Sequence, residues 1–405
     1  MIYRLEIENF YSIRDAQVLD LTIAPNVPDP DNRFAPIFQG SKDRAPKVVS
    51  VWGANASGKT TILLALDFLV RFIRDSAGQG SGFRLERFND RESANRPIRL
   101  ALELGGPMDY SPETVSRADS GLPVEHGSIR YELEISVIDG VAVSVAREAL
   151  RQRPSGQGRW QRIFERTGQE VEGSKTFPIN GYRHLLNTLK SNASVLSSFA
   201  LFDHPAASLF VDAARQVFSN GPGATPDDAG LMAYLKESPL VLQDVNRSLG
   251  RIDVGVEEMR IVDTATGPAP EFKHKGLDKP MPWTLESHGT RAFIRLFPLL
   301  SGTLGTGGVA ILDEFDTFLH PLLLPDILRW FHDPSRNPLN AQVWFSAHAA
   351  SLLDELLKEE IVLCEKDERG RTTVFSLMDV KAVRRDENLY KKYLGGAFGA
   401  VPTLG

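Results

Sequence analysis

The sequence predicts an α/β fold: a parallel core sheet, an antiparallel β-subdomain and a helical insertion. Three observations carry that expectation. A β-branched run, Lys47 to Trp52, ends in a glycine-rich turn and passes into Thr60 to Arg74, where apolar residues recur at helical spacing. A second apolar run, Val309 to Leu312, ends in two carboxylates, Asp313 and Glu314. Buried parallel strands read this way when their C-terminal ends deliver side chains to a ligand crevice. Segments 98–104 and 128–147 instead alternate apolar and polar residues (Ile98, Leu100, Leu102, Leu104; Tyr131, Leu133, Ile135, Val137), the pattern of half-buried antiparallel strands.

Taken in order, residues 2–23 read as a strand, a turn and a second strand, followed by a Pro-, Asp- and Asn-rich surface loop from Pro25 to Lys47. The Pro/Gly/Ser-rich segment 105–127 reads as a mobile loop between the alternating segments. From 180 to 250 the apolar spacing turns helical (Leu185, Leu186, Leu189; Leu196 to Phe202; Leu231 to Leu249), punctuated by Gly221 to Gly230. Strand-like residues return at 252–262, then a helix at 290–300, a strand at 309–312, a helix at 321–332 and a strand at 342–346. The expected division is an N-terminal lobe over 1–104, a β-subdomain or arm over 105–179, a helical insertion over 180–250 and a C-terminal lobe over 251–405.

Composition narrows the class. The chain has 405 residues, 42 % of them hydrophobic and 24 % charged, which suits a globular protein. A net charge of −6 argues against a surface basic all over. The single cysteine, Cys364, can form neither a disulfide framework nor a cysteine zinc site, and a reducing, cytoplasmic setting is expected. The N-terminus has no signal-peptide core, and the longest apolar stretch, Thr61 to Ile73, is interrupted by Asp67 and Arg71, so no membrane span is expected.

Four segments carry chemistry. Gly53-Ala54-Asn55-Ala56-Ser57-Gly58-Lys59-Thr60 matches G-x-x-x-x-G-K-[ST] between a strand and a helix. Its glycines let backbone N–H groups face phosphate oxygens, and the helix adds its positive end. Lys59 then reaches the β- and γ-phosphates of ATP, and the Thr60 hydroxyl meets Mg²⁺, with Asn55, Ser57 and Thr61 in the same cradle. Asp313 completes the Mg²⁺ shell and Glu314 deprotonates the attacking water; alone, the pair also suits an ordinary solvated acidic turn. Leu285-Glu286-Ser287-His288-Gly289-Thr290 opens a helix, so Ser287 and Gly289 offer a hydroxyl and N–H groups to an anion, though a plain helix cap reads the same way. Val343-Trp344-Phe345-Ser346-Ala347-His348 ends a strand in small residues and a histidine, which serves either as a γ-phosphate sensor or as an ordinary surface residue.

These segments occur in the order found in ABC-type ATPase heads of the P-loop NTPase fold, and the chain resembles them. That resemblance implies that Ser287 and Gly289 cap the γ-phosphate held by a second copy, with His348 steadying the water. The opening Leu5-Glu6-Ile7-Glu8-Asn9-Phe10-Tyr11-Ser12-Ile13 resembles RecF-, SMC- and OLD-like ATPases, where an Asn-Phe-x-Ser turn frames the nucleotide. Asp313-Glu314-Phe315-Asp316, Leu319-His320-Pro321, Asp386-Glu387-Asn388 and Tyr393 to Pro402 are similar to bacterial AAA-type ATP-binding proteins of that group. The likeness implies an ATPase subunit of the AbiL or PARIS kind in anti-phage defence, forming a homodimer or higher even-numbered oligomer. It also implies a separate Toprim-like, RloB-like or HNH nuclease as effector. The capping segment departs from the family pattern in carrying His288 where an acid is expected. No glutamine of the middle region is assigned to the loop that completes the Mg²⁺ shell.

Only 57 residues follow His348, too few for a catalytic Toprim domain, so nucleic-acid cleavage is expected to fall to a partner. The alternative is a RecF-like repair clamp that binds DNA directly. The arginines of 147–166, with Trp160 and Phe164 among them, suit phosphate contact and base stacking, or equally a solvated face; so do those of 71–99. A transporter ATPase is disfavoured, because the aromatic adenine-stacking arrangement at its N-terminus is not evident.

Overall fold

The computed structural model describes residues 1–401 apart from 80–81, 109, 111–123, 222–226, 253–254, 318, 382 and 386. Most of the 105–127 segment, the centre of the Gly221–Gly230 stretch, Asp386 and Pro402 thus lie outside the described residues.

Two sheets organise the molecule. The core sheet has six strands in the order Val217–Ser219, Val309–Leu312, Gln342–Ser346, Val48–Trp52, Ile361–Lys366 and Thr372–Ser376. The first five are mutually parallel and the last is antiparallel. Val48–Trp52 and Val309–Leu312, in the interior of the sheet, are covered on both faces, which is why they read as nearly unbroken apolar runs. Val49, Val51, Ile311, Trp344, Val362 and Cys364 face one apolar cluster, and Val48, Trp52, Ala310, Leu312, Val343, Phe345, Ile361 and Leu363 face the other. Because the strands run parallel, their C-terminal turns leave from one edge: Gly53, Asp313, Ala347–His348 and Asn220 all follow strand ends there.

The second sheet has seven antiparallel strands, in the order Glu170–Gly173, Gln161–Thr167, Val141–Pro154, His126–Ile138, Ile98–Pro107, Ile2–Glu8 and Gln17–Asp20. Asp139 and Gly140, both at positive φ, make the two-residue turn that the right-handed twist of a hairpin favours. One face packs on the helix Lys59–Asp75, within the same apolar cluster as one face of the core sheet. The other face carries a ladder of charges. Arg130 bonds Glu6 at 2.7 and 2.8 Å, Glu103 at 2.8 Å and Glu132 at 2.7 Å. Arg147 bonds Glu132 at 2.6 Å and Glu165 at 2.9 Å, and Arg151 bonds Glu165 at 3.0 Å. The ladder accounts for the arginine-rich stretch of 147–166: four of its six arginines pair with or lie beside glutamates, including Arg162 with Glu172 and Arg166 near Glu148.

Hydrogen bonds tie the two sheets together. The buried Gln342 side chain accepts from Ile2 N at 3.0 Å and donates to the carbonyls of Ile2 (2.9 Å) and Pro46 (2.8 Å). At the far end of the helix Lys59–Asp75, Ser76 Oγ accepts from Ser194 N (2.8 Å), and Lys190 Nζ donates to Ala77 O (2.8 Å). Ser194 Oγ in turn bonds Glu148 Oε1 at 2.6 Å, beside Tyr131 OH (2.9 Å) and Val195 N (2.9 Å) on the same carboxylate.

Three differences from the sequence reading stand out. Phe34–Pro36 and Arg44–Pro46 pair as short strands inside the expected 25–47 loop, because the turn between them closes through Ile37 N to Asp43 O (3.1 Å) and Ser41 N to Phe38 O (2.9 Å). Within 180–250, helices Val195–Ala200 and Pro205–Arg215 are followed by the core-sheet strand Val217–Ser219, which is too short to leave a periodic signal. The strand-like residues around 252–262 form Val256–Thr264, hairpinned to Gly267–His274.

Candidate nucleotide site

The strand Val48–Trp52 runs out at Gly53, and the turn that follows needs glycine twice. A Cβ at Gly53 would sit 2.4 Å from Ser57 Oγ and 2.5 Å from Cys364 O. Gly58, at φ +111°, opens the helix, and a Cβ there would meet the Thr372 side chain at 2.5 Å. Thr372 fastens the turn from the antiparallel edge strand, its Oγ1 donating to Ser57 O at 2.8 Å and lying 2.8 Å from the Ser12 hydroxyl. Ser12 Oγ lies 3.1 Å from Thr61 Oγ1, so the Asn9-Phe10-Tyr11-Ser12 turn abuts the start of the helix. Asn9, fully buried at φ 55°, bonds the carbonyls of Ser93 and Arg96 and accepts from Phe88 N, which holds 88–97 beside the cleft.

Lys59 is 6 % exposed and donates to the carbonyls of Gly53 (2.9 Å) and Ala54 (3.1 Å). Burial pulls its pKa below the ordinary value; Cys364, Asp313, Asp316 and Glu314 oppose that. The lysine lies folded on its own loop, its charge available to an anion that enters.

Across the sheet edge, Thr60 Oγ1 donates to Asp313 Oδ2 at 3.0 Å. Ser346 Oγ donates to Asp313 Oδ1 at 2.5 Å and accepts from Glu314 N at 2.8 Å. Glu314 itself takes a left-handed φ of 50°, a conformation rare outside glycine and asparagine, here held by its neighbours. Asp316 Oδ2 accepts from His348 N (2.8 Å) and Ala349 N (2.6 Å), tying the acidic turn to the histidine turn.

These turns enclose a cleft of about 1230 Å³. Asn55, Ser57, Gly58, Lys59, Thr60, Thr61, Glu314 and His348 line it, joined by Tyr11, Phe88, Lys366 and Arg369. Asp313 reaches the same place through Thr60, and Gly53 through Lys59. Ser287 and Gly289 are not among the lining residues. Ser287 caps the helix His288–Thr306, accepting from Thr290 N at 3.0 Å, and is exposed. The acid of that segment is Glu286, which turns inward: it is 6 % exposed and bonds His274 Nε2 at 2.8 Å and Ser287 N at 3.1 Å.

The donor set suits a small hard cation. A threonine hydroxyl and one carboxylate are the protein share that Mg²⁺ takes when a nucleotide's phosphates and water supply the rest. No cluster of three or more His, Cys, Asp or Glu residues that could hold a metal occurs among the described residues.

Sequence reasoning missed Asn220, Thr372, and the role of Ser346. Ser346 was visible as one of the small residues before His348. The other two act on neighbours 93 and 315 positions away along the chain, which leaves no local signal.

A glycine-rich phosphate turn, an acidic strand end and a histidine strand end on one edge of a parallel sheet define a P-loop ATPase of the AAA/ABC class. Residues 48–354 match the family described as "AAA domain, putative AbiEii toxin, Type IV TA system", and the chain belongs to that family. No curated protein matches it. Among solved structures it is similar to an SMC head bound to the C-winged helix domain of ScpA, at 12 % identity and TM-score 0.48 over 92 % of this chain and 97 % of that one. It is also similar to the SMC head domain from Thermotoga maritima, at 12 % identity and TM-score 0.39 over 93 % and 98 %. Among the described residues, no helix is long and apolar enough to cross a membrane.

Proposed function

We propose that this chain hydrolyses ATP as a head-to-head dimer and serves as the ATP-driven sensor or scaffold for a separate nuclease effector in anti-phage defence. The observation that carries the catalytic part is the chain of bonds Thr60–Asp313–Ser346–Glu314 at the mouth of the lysine-bearing turn. Lys59 exchanges the carbonyls of Gly53 and Ala54 for the β- and γ-phosphates. Thr60 and Asp313 hold Mg²⁺, which when bound neutralises charge on the phosphate oxygens. Glu314 accepts the proton of the attacking water, and His348 steadies the γ-phosphate end. Ser287 and Gly289 lie outside the cleft of their own chain, which fits their closing over the phosphate of a second copy.

The defence role takes its support from the family's toxin description and from the resemblance to abortive-infection ATPases. A clamp binding DNA directly has less support, since Arg147, Arg151 and Arg162 are already paired with glutamates.

Glu314→Gln is the test. It keeps the shape of the side chain and the backbone bond to Ser346 but removes the base. ATP binding is expected to persist, an ATP-dependent dimer to accumulate in light scattering, and phosphate release to stop. Hydrolysis at the wild-type rate, or a monomer that turns over ATP unaided, overturns the reading.

A further inference from the structure

We infer that Asn220 is a positioning residue for the acidic turn, resting on the ATPase reading above. Its carboxamide grips the backbone of Asp313 from both sides. Oδ1 accepts from Asp313 N and Nδ2 donates to Asp313 O, each at 3.0 Å. Asn220 N also donates to Ile311 O at 3.2 Å. Ser346 holds the opposite side of the same turn, so Asp313 sits between two polar side chains from the flanking strands.

The strand that delivers Asn220 is placed for close approach. Val217–Ser219 pairs in parallel with Val309–Ile311, and Val309 N donates to Gln216 O at 3.2 Å. A Cβ at Gly308 would stand 2.0 Å from Gln216 O, and one at Gly302 would stand 2.9 Å from the Phe218 ring. Two glycines thus let a three-residue edge strand lie where its next residue reaches Asp313. That strand adds little to the core, since its residues are only partly buried. What it supplies is the amide at its end.

The clamp matters because Glu314 follows at a left-handed φ that the chain does not favour unaided. Without Asn220, the backbone of Asp313 loses its side-chain clamp on that side, and the Asp313 carboxylate and Glu314 shift relative to Thr60 and the water. Asn220 is itself exposed, so truncating it opens no cavity.

The experiment compares wild type, Asn220→Ala and Asn220→Asp by steady-state ATPase kinetics, Mg²⁺ titration and thermal melting. A displacement of the order of 1 Å predicts a fall in kcat of about 10- to 100-fold for Asn220→Ala. KM for ATP stays within about threefold, half-saturating Mg²⁺ rises, and the melting temperature holds, a split that a purely structural role does not give. Asn220→Asp keeps the acceptor for Asp313 N but loses the donor to Asp313 O, and is expected to lose turnover as well. Wild-type kcat in Asn220→Ala overturns the inference alone, as does a loss of kcat that only tracks a lowered melting temperature. If the wild-type chain does not turn over ATP, the functional reading falls and this inference with it.

Discussion

The two sheets use charge in opposite ways. On the antiparallel sheet, cations and acids meet across strands: Arg130 alone satisfies three glutamates. At the C-terminal edge of the parallel sheet, Lys59 is held by carbonyls rather than by an acid, and Asp313 and Glu314 are held by hydroxyls and amides. Cancelled charge gives shape; charge held in place without a counter-ion waits for a ligand. Changes in the first sheet should therefore alter stability with turnover per folded molecule intact, and changes at the second edge the reverse.

The sharpest stability effect is expected at Glu148, where the ladder turns inward. Its side chain and that of Arg166 are both 0 % exposed and 4.0 Å apart. Burial pushes the Glu148 pKa up and the Arg166 pKa down, against their mutual attraction. Glu148→Leu strands the arginine, and denaturant unfolding should register a loss of about 3–5 kcal/mol. Adding Arg166→Met should recover part of it.

Next in size, Lys59→Ala should lower kcat about 100- to 1000-fold in a phosphate-release assay, with the melting temperature of the nucleotide-free protein little changed. A large drop in stability there, or unchanged turnover, breaks the comparison.

A weaker effect belongs to Arg162, paired with Glu172 at the exposed end of the ladder. Arg162→Ala should cost less than about 1 kcal/mol, and less still in high salt.

The smallest signal concerns Cys364, buried on the core strand beside Lys59, its thiol pushed up to about 12 by burial. Native protein should resist a thiol-reactive dye at pH 8 and label fully once unfolded. Labelling of the native state at the unfolded rate would show that this strand opens.

Legibility in the sequence follows the same divide. The phosphate turn was readable because its glycines, lysine and threonine are contiguous and flanked by periodic segments. The alternating strands were readable because one face is apolar. The loop Pro25–Lys47 hid a strand pair, since three-residue strands leave no periodicity. Strand Val217–Ser219 stayed hidden among helices for the same reason, and Asn220 with it. Strands Ile361–Lys366 and Thr372–Ser376 went unassigned, although the second carries Thr372, which fastens the phosphate turn from the far end of the chain. The arginines of 147–166 misled by count: in one dimension they are a basic run, and only the folded sheet reveals the glutamates that Arg147, Arg151, Arg162 and Arg166 pair with or lie beside.

The helix Lys59–Asp75 is a 17-residue rod, about 25 Å from end to end. Its first turn lines the candidate nucleotide cleft, and just beyond its last turn Ser76 and Ala77 are bonded to Ser194 and Lys190, and through Ser194 to Glu148. The second sheet is thus fastened to the end of the helix opposite the cleft. A spectroscopic label near residue 190 is therefore expected to change its signal when nucleotide is added, without standing in the cleft.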